Sequence, residues 1–261
     1  MQKHILDDLL TTLPDAPVQT VRIGTHWTAV VVERQGRRHC GLASSLEGED
    51  CHQDNVGPAV PQAGRLHLQS SRALAELVHS ASPPEVSVGM ATINALLALD
   101  SASSPQAQEK AWVDLNAGKV IATRGAGKHV ALVGHFPFIP QVRERVGRLS
   151  VLERRPHEQD LPASAASEVI PQADVVALTS MTLLNRTFDG LMALCRPDAL
   201  VLLLGPTTPL SPLLFDHGVH ILSGSVVEDI DAVLQSVGQG ASFRQIHRAG
   251  VRLVTMKRAM P

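Results

Sequence analysis

No block of positive charge occurs in this sequence. Its 23 lysine and arginine residues are scattered and are balanced by 25 aspartates and glutamates, so that the net charge is −2. Proteins that bind nucleic acids or anionic membrane surfaces carry clustered basic side chains, because these are attracted to phosphate groups. We therefore expect neither nucleic acid nor a membrane among the partners of this protein.

Long apolar runs and paired cysteines are also missing. The apolar stretches fall far below the roughly 20 residues that span a bilayer, and the amphipathic start, MQKHILDDLLTTLPDAP, lacks the apolar region of a secretory signal. Cys40, Cys51 and Cys195 are odd in number and form no C-x-x-C pair. A disulfide framework is therefore not expected, and a reducing cytoplasm is the predicted location.

The chain of 261 residues, 44% of them hydrophobic, is long enough for one large domain or two modest ones. Residues 1–105 predict a smaller α+β domain. A helix near residues 3–13 precedes a β-hairpin, whose strands are TVRIGTHWTAVVVE and HCGLAS, and helices follow in SRALAELVHS and EVSVGMATINALLAL. Gly89, inside the last of these helices, implies close packing or a helix start.

Residues 106–261 predict a Rossmann-like α/β domain with a doubly wound, mostly parallel sheet. Apolar stretches such as ADVVALT and ALVLLLG are typical of strands that are covered on both faces. The predicted strands are 130–134, 149–152, 174–179, 200–204, 219–222 and 251–256. The predicted helices between them are 140–147, 163–171, 185–195, 212–216 and 228–238.

Small and polar residues follow several of these strands. Ligands bind beyond the carboxyl ends of the strands in an open parallel sheet, where small residues let a ligand approach the backbone. Such residues also serve as helix caps, but several ends together favour a shared pocket. The candidate pocket residues at the strand ends are Gly134, His135, Phe136, Glu153, Thr179, Ser180, Gly205, Pro206 and Thr207.

His135 and Glu153 are the candidates for chemistry, both as catalytic residues and as metal ligands. An imidazole can act as a general base, a metal ligand or a hydrogen-bond donor near neutral pH. Glu153 follows the second strand about 20 residues after Gly134, where dinucleotide-binding folds hold the acid that binds ribose. The structural alternatives are a histidine satisfied within its loop and a glutamate paired with Arg154 or Arg155.

The stretch VGHFPF argues against NAD as a cofactor. It lacks the G-x-G-x-x-G motif, and Pro137 removes one amide donor that a phosphate would use. The bulky His135 and Phe136 would also crowd a pyrophosphate. An adenosyl group without phosphates, as in S-adenosylmethionine, remains compatible with this loop.

Three further sites have both a binding and a structural interpretation. Thr182 and Asn185 lie at the mouth of the third strand, although Asn185 is also a typical helix N-cap. Asn94 interrupts an apolar helix and either faces a domain interface or is a buried structural residue. The stretch EGEDCHQDN, residues 47–55, offers metal ligands including Cys51 and His52, but its spacing favours a solvated acidic loop.

Long stretches of the chain resemble a known family. GTHWTAVVV, CGLASS and SVGMATINALL look like the amino-terminal domain that accompanies domain-of-unknown-function family 364. KHVALVGHFPFI, ADVVALTSMTLLNRTFDGLMALCRP and VLLLGPTTPLSPLLFDHGVHILSGSVV look like that family itself. The similarity covers nearly the whole chain.

The resemblance implies an enolase N-terminal-like domain before the Rossmann-like domain, with a role in heavy-metal chelation and a ligand site in the cleft between them. By position it implies that this cleft is lined by Gly134, His135, Glu153, Asn185, Gly205, Pro206 and Thr207, with Asn94 approaching from the first domain. It assigns no catalytic roles. Three functions stay open. They are the binding of a transition-metal ion or metal chelate, an enzyme for a small molecule with an adenosyl-type cofactor, and a non-catalytic binding protein. A homodimer suits a protein of this size.

Overall fold

The computed structural model describes residues 5–47, 58–102, 112–113, 117–157 and 159–258. Two predicted features lie outside these ranges. They are the domain boundary near residue 105 and residues 48–55 of the acidic loop. The chain divides into two compact units. The first contains Met1–Lys110, Pro209–Ser211 and Gly224–Leu253, and the second contains Ala111–Thr208, Pro212–Ser223 and Val254–Pro261.

The first unit contains a three-stranded antiparallel sheet in the order β1-β2-β3. Its strands are β1 (Val18–Ile23), β2 (Trp27–Arg34) and β3 (Arg37–Ser44). Its early helices are α1 (Ile5–Thr12), α2 (Ser71–Ala75) and α3 (Pro83–Ala102), with 3-10 turns at Leu66–Leu68 and Glu76–His79. The side-chain oxygen of Ser70 accepts a hydrogen bond from the Ala73 N–H, so Ser70 is the N-cap of α2.

The single strand predicted from TVRIGTHWTAVVVE is wrong, because the chain turns within it. The Gly24 N–H donates to the carbonyl oxygen of Trp27 at 2.9 Å, which separates β1 from β2. A Cβ added to Gly24 would lie 2.3 Å from the Val237 carbonyl oxygen, so only glycine fits this turn. The expected hairpin is therefore a three-stranded meander.

Helix α3 packs closely against its neighbours. A Cβ on Gly41 of β3 would lie 2.1 Å from the Ala91 carbonyl oxygen, and one on Gly89 would lie 2.3 Å from the backbone nitrogen of Val78. The Asn94 amide donates to the Leu42 carbonyl oxygen at 2.8 Å. The close packing expected at Gly89 is confirmed.

The second sheet has eight strands in the order β4-β11-β10-β9-β8-β5-β6-β7. They are β4 (Trp112–Val113), β5 (His129–Val133), β6 (Arg148–Glu153), β7 (Leu161–Pro162), β8 (Val175–Thr179), β9 (Leu200–Leu204), β10 (Ile221–Val227) and β11 (Val251–Lys257). The strands from β7 to β10 pair in parallel, and β4 pairs antiparallel with β11. The expected Rossmann-like α/β fold is confirmed.

The helices that follow α3 are mostly short. They are α4 (Ala117–Arg124), α5 (Ile139–Arg143), α6 (Ala166–Val169), α7 (Met181–Leu184), α8 (Phe188–Met192), α9 (Leu213–Asp216), α10 (Ile230–Gly238) and α11 (Phe243–Arg248), with 3-10 turns at Ala163–Ala165 and Ile170–Gln172. Among the described helices, none is long and apolar enough to cross a membrane.

Helices α10 and α11 belong to the first unit, although a division at residue 105 would separate them from β2 and β3. Their buried apolar side chains, including Val233 and Ile246, form one core with Trp27 and Leu42 of the small sheet. Burial of such side chains contributes about 1.5–3 kcal/mol each. This packing accounts for the observed division of the chain.

Candidate metal and ligand site

The parallel strands follow the order that creates a ligand crevice in Rossmann folds. From one edge they run β7-β6-β5 and then β8-β9-β10, so the direction of winding reverses between β5 and β8. Ligands bind beyond the carboxyl ends of the strands at such a switch point. Gly134 directly follows β5, and Thr179 is the last residue of β8.

Gly134 lets the chain turn sharply at this point. Its φ is +103°, a conformation that residues with a side chain rarely adopt, and an added Cβ would lie 3.0 Å from the Cβ of Thr179. The Gly134 N–H donates to the Leu152 carbonyl oxygen at 2.9 Å. His135 therefore leaves the sheet directly beside the end of β6.

A cavity of about 360 Å³ lies at the carboxyl ends of β5, β6 and β8, and we call it the strand-end cavity. Six of the predicted pocket residues line it. They are Gly134, His135, Glu153, Thr179, Thr182 and Asn185. Apolar side chains, such as Leu152 and Met181, complete much of the wall.

The other predicted pocket residues line neither this cavity nor the one described next. Phe136 stacks on Phe138, with ring centroids 5.1 Å apart. Ser180 is buried and packs against Gly205. A Cβ added to Gly205 would lie 2.6 Å from the Ser180 Oγ. Pro206 and the buried Thr207 follow Gly205, and Asn94 belongs to the first unit.

Asn185 ends a helix instead of beginning one. It is the C-cap of α7, and its Oδ1 accepts hydrogen bonds from the N–H and the hydroxyl of Thr187. Arg186 has a φ of +59°, so a right-handed helix cannot continue through this residue. The helix predicted over 185–195 is therefore the shorter α8, and the N-cap interpretation of Asn185 is wrong.

A second cavity, of about 580 Å³, shares His135 with the first, and we call it the helix-side cavity. Its lining residues are His135, Ile139, Pro140, Arg143, Glu144, His157, Gln159 and Asp160. Within it, the Nδ1 of His135 lies 3.0 Å from the Oδ2 of Asp160. The ring centroids of His135 and His157 are 4.6 Å apart.

His135, His157 and Asp160 form what we call the His-His-Asp cluster. Each side chain offers one atom that can bind a metal ion, and these three atoms lie within 4.8 Å of one another. Within the described part of the chain, this is the one place where at least three such side chains come together. The carboxylate of Asp160 is only 2% exposed, whereas the imidazole of His135 is 42% exposed.

The sheet brings this cluster together. Val133 of β5 pairs with Leu152 of β6, so the loops that follow both strands leave the same edge. Within the loop after β6, the Asp160 N–H donates to the His157 carbonyl oxygen, and the His157 N–H donates to the Asp160 Oδ2 at 3.2 Å. This turn holds the carboxylate beside both imidazoles.

Glu153 lines the strand-end cavity but is not part of the cluster. Its Oε1 accepts a hydrogen bond from the backbone N–H of Arg154 at 2.6 Å. For the structural alternative, in which Glu153 pairs with Arg154 or Arg155, the structure gives a contact to the backbone N–H of Arg154.

His157 and Asp160 were missed at the sequence level. The residues predicted near this edge of the sheet adjoin a strand end or the helix that follows it, whereas these two residues lie four and seven positions after the last residue of β6. The available signal was the histidine and aspartate three residues apart in RPHEQD, immediately before the short strand β7.

The described cysteines take no part in this cluster. Cys40 and Cys195 are free thiols. Burial raises the pKa of the Cys40 thiol to about 12 and that of the Cys195 thiol to about 11. Thiolates bind metals, whereas protonated thiols bind them poorly.

Comparison with known proteins agrees with this architecture. The sequence model of family DUF364, described as "Putative heavy-metal chelation", matches residues 116–256, and family DUF4213, with the same description, matches residues 6–97. A DUF364 protein of unknown function from Desulfitobacterium hafniense has 30% sequence identity and a TM-score of 0.77, over 97% of both chains.

Two more distant relatives extend the comparison. The structure of a DUF364 protein of unknown function from Pyrococcus horikoshii has 19% identity and a TM-score of 0.78, over 97% of this chain and 98% of the other. An uncharacterized protein of Methanocaldococcus jannaschii is 25% identical over 217 residues, which are 80% of this chain and 78% of the relative.

Proposed function

The chain belongs to the DUF364 family, and from that premise we propose that it binds a divalent transition-metal ion as cargo at the His-His-Asp cluster. The observation that carries the proposal is the meeting of two imidazoles and a buried carboxylate in one cavity. The family description refers to heavy-metal chelation, and the cluster provides a chemical basis for it in this chain.

The donor atoms of the cluster fit this class of metal. Imidazole nitrogens bind zinc, copper, iron and nickel, and a carboxylate oxygen is a common third ligand. Ligand bonds of about 2.1 Å hold the donor atoms no more than about 4 Å apart. Because the donor atoms already lie within 4.8 Å, small side-chain movements would bring them to one ion.

The hydrogen bonds of Asp160 support the same role. Its carboxylate is nearly fully buried and accepts from the backbone N–H of His157, which fixes its position. The exposed His135 and His157 supply the open side from which an ion would enter. Glu153 is a more distant candidate, because its Oε1 is held by the Arg154 backbone.

Equilibrium dialysis of protein without a histidine tag tests the proposal, with Ni²⁺ and Zn²⁺ as probes. We expect the wild-type protein to retain one ion per chain, and His157→Ala to weaken binding by about tenfold or more. His67→Ala removes an exposed imidazole outside the cluster and serves as the control. Retention that is equal in wild type and His157→Ala, or no retention by wild type, would refute the assignment.

The acidic loop needs its own control, because its residues 48–55 lie outside the described ranges. Cys51→Ser and His52→Ala remove its two strongest metal ligands. If the cluster is the site, both variants bind the ions as wild type does. Loss of binding in these variants alone would move the site to the loop.

A second candidate function rests on the strand-end cavity. Its volume suits a small organic ligand, and Glu153 stands where Rossmann folds hold the acid that contacts ribose. Pro137 and the bulky His135 still disfavour the pyrophosphate of NAD. The matching activity is an enzyme that uses an adenosyl-type cofactor, such as S-adenosylmethionine, with His135 as the acid or base.

Thermal stabilisation by ligands separates these functions. Stabilisation by S-adenosylmethionine that is lost in Glu153→Gln, but kept in the exposed control Glu168→Gln, would support the adenosyl-type enzyme. Stabilisation by metal ions alone, without turnover of any small molecule, would support a non-catalytic binding protein.

Two further features of this protein are proposals. A homodimer is the commonest assembly of soluble proteins, and light scattering would test it. The free thiols Cys40 and Cys195 are consistent with a reducing cytoplasm, which fractionation of cells would test.

A further inference from the structure

We propose that the helix-side cavity binds the metal together with a small carboxylate-bearing chelator, and that Arg143 pairs with a carboxylate of that chelator. This inference rests on the proposed metal site at the His-His-Asp cluster. It adds the chemical class of the cargo, which is a metal chelate instead of a bare ion.

The size of the cavity is the first argument. A bound ion with three protein ligands and three water molecules needs little more than about 100 Å³, since one water occupies about 30 Å³. The helix-side cavity has about 580 Å³, which is within the range of about 300–1,000 Å³ for sites that hold small organic molecules. The space beside the cluster is therefore sufficient for a chelator of several carboxylate groups.

The state of Arg143 is the second argument. Arg38, Arg196 and Arg252 each form an ion pair with a carboxylate. Arg143 is half-buried in the cavity wall, and no hydrogen bond or ion pair joins its guanidinium to the described part of the chain. A guanidinium in a cavity wall is suited to bind a carboxylate through two parallel hydrogen bonds.

The helix that carries Arg143 directs it to the same cavity as the cluster. Ile139 and Arg143 lie four residues apart in α5, so they share one face of that helix, and both line the cavity. His135 precedes α5 in the loop after β5 and lines the same cavity. One short segment thus contributes a metal ligand and an arginine.

The remaining polar lining sets limits on the chelator. Glu144 carries the opposite charge to Arg143, so the wall does not attract anions by net charge alone. Gln159 offers an amide that can donate or accept a hydrogen bond. The recognition therefore depends on direct pairing with the guanidinium, and a hydroxyl on the chelator would suit Glu144 or Gln159.

Equilibrium dialysis with Ni²⁺ and radiolabelled citrate tests the inference on the full chain without a tag. We expect the wild-type protein to retain citrate when Ni²⁺ is present and not when it is absent. In Arg143→Ala, the affinity for citrate should fall by about tenfold or more, while Ni²⁺ alone is retained as in wild type. Arg145→Ala removes an exposed arginine two residues away that lines neither cavity, and it should behave as wild type.

The outcomes distinguish this inference from the metal site itself. If wild type retains no Ni²⁺ under any condition, the metal site is refuted and the inference falls with it. If Ni²⁺ is retained but citrate is not, or if citrate strips the ion from the protein, the metal site stands and the chelate is refuted. Equal citrate retention by wild type and Arg143→Ala also overturns the inference.

Discussion

The Nδ1 of His135 lies 3.0 Å from the Oδ2 of Asp160, although the two residues are 25 positions apart in the sequence. The same oxygen accepts a hydrogen bond from the backbone N–H of His157. Because the Asp160 side chain is almost fully buried and both imidazoles are exposed, the carboxylate is the fixed member of the cluster. It should contribute charge, as well as a fixed position, to the proposed metal site.

Replacing Asp160 by asparagine separates these two contributions. Asp160→Asn keeps an oxygen that can accept from the His157 N–H, but it removes the negative charge that neutralises a divalent ion. We expect the affinity for Ni²⁺ to fall by about tenfold or more, with little change in the melting temperature. Dialysis and thermal unfolding measure the two quantities.

Glu144→Gln is the matched control for charge, since Glu144 lines the same cavity but is not in the cluster. It should retain Ni²⁺ as wild type does. If the two variants lose affinity equally, the ion is held by the total negative charge of the cavity, and Asp160 has no special role as a ligand. If Asp160→Asn binds as wild type does, the carboxylate is not a ligand.

The thiols of Cys40 and Cys195 should be inert in the native protein. Burial raises the pKa of the Cys40 thiol to about 12 and that of the Cys195 thiol to about 11. At pH 8, about one Cys195 thiol in a thousand is then ionised, and fewer at Cys40. Brief treatment with iodoacetamide, followed by mass spectrometry of peptides, should find both unmodified until the protein is denatured. Rapid labelling of either thiol in the native protein would contradict the conclusion that burial protects it.

The sequence was sufficient to predict the parallel sheet. The apolar stretches that predicted strands at 130–134, 174–179 and 200–204 correspond to β5, β8 and β9, with ends within one residue. Such strands are covered on both faces, so their composition alone identifies them. Because strand ends define the crevice, the sequence also identified Gly134, His135 and Glu153 as residues that line one cavity.

The rest of the site depends on tertiary contacts that the local sequence marks only weakly. His157 and Asp160 lie in an irregular loop, and only the pairing of β5 with β6 brings that loop to His135. The end of α7 depends on Arg186 at positive φ, with no glycine to mark it. The turn at Gly24 depends on the approach of Val237, which is far away in the sequence. Tertiary contacts of this kind override local propensity.

Protonation of the Asp174 carboxylate should make the protein less stable in acid. The backbone N–H of His129 donates to its carboxylate, and with the bond from Arg196 this lowers the pKa of Asp174 below its ordinary value of 3.8. A lowered pKa contributes stability that is present above the unfolded-state pKa and is lost as the pH falls through the folded-state value. Thermal unfolding between pH 5 and about pH 2 should therefore depend less on pH in Asp174→Asn than in wild type.

Asp216→Asn is the control for this measurement, because it removes the same charge from an exposed position at the end of α9. It should keep the pH dependence of the wild type. The interpretation fails if Asp174→Asn and wild type lose stability in parallel as the pH falls.

Two helical glycines should respond in opposite directions to the same substitution. Gly190 is exposed within α8, and a Cβ added there meets no atom within 4 Å. Gly190→Ala should therefore raise the free energy of unfolding by up to about 1 kcal/mol, because alanine loses less backbone entropy in a helix. Gly89 in α3 is buried, and its added Cβ would lie 2.3 Å from the Val78 backbone nitrogen. Gly89→Ala should lower the free energy of unfolding by about 1–3 kcal/mol, as overpacked positions do.

Denaturant unfolding of both variants measures this difference, and each serves as the control for the other. Helix propensity alone would stabilise both proteins, so only the contact between α3 and the turn before it can reverse the sign at Gly89. Stabilisation of both variants would mean that α3 moves away from Val78 at little cost. That result would remove the packing argument for glycine at position 89, whereas destabilisation of Gly89→Ala alone would support it.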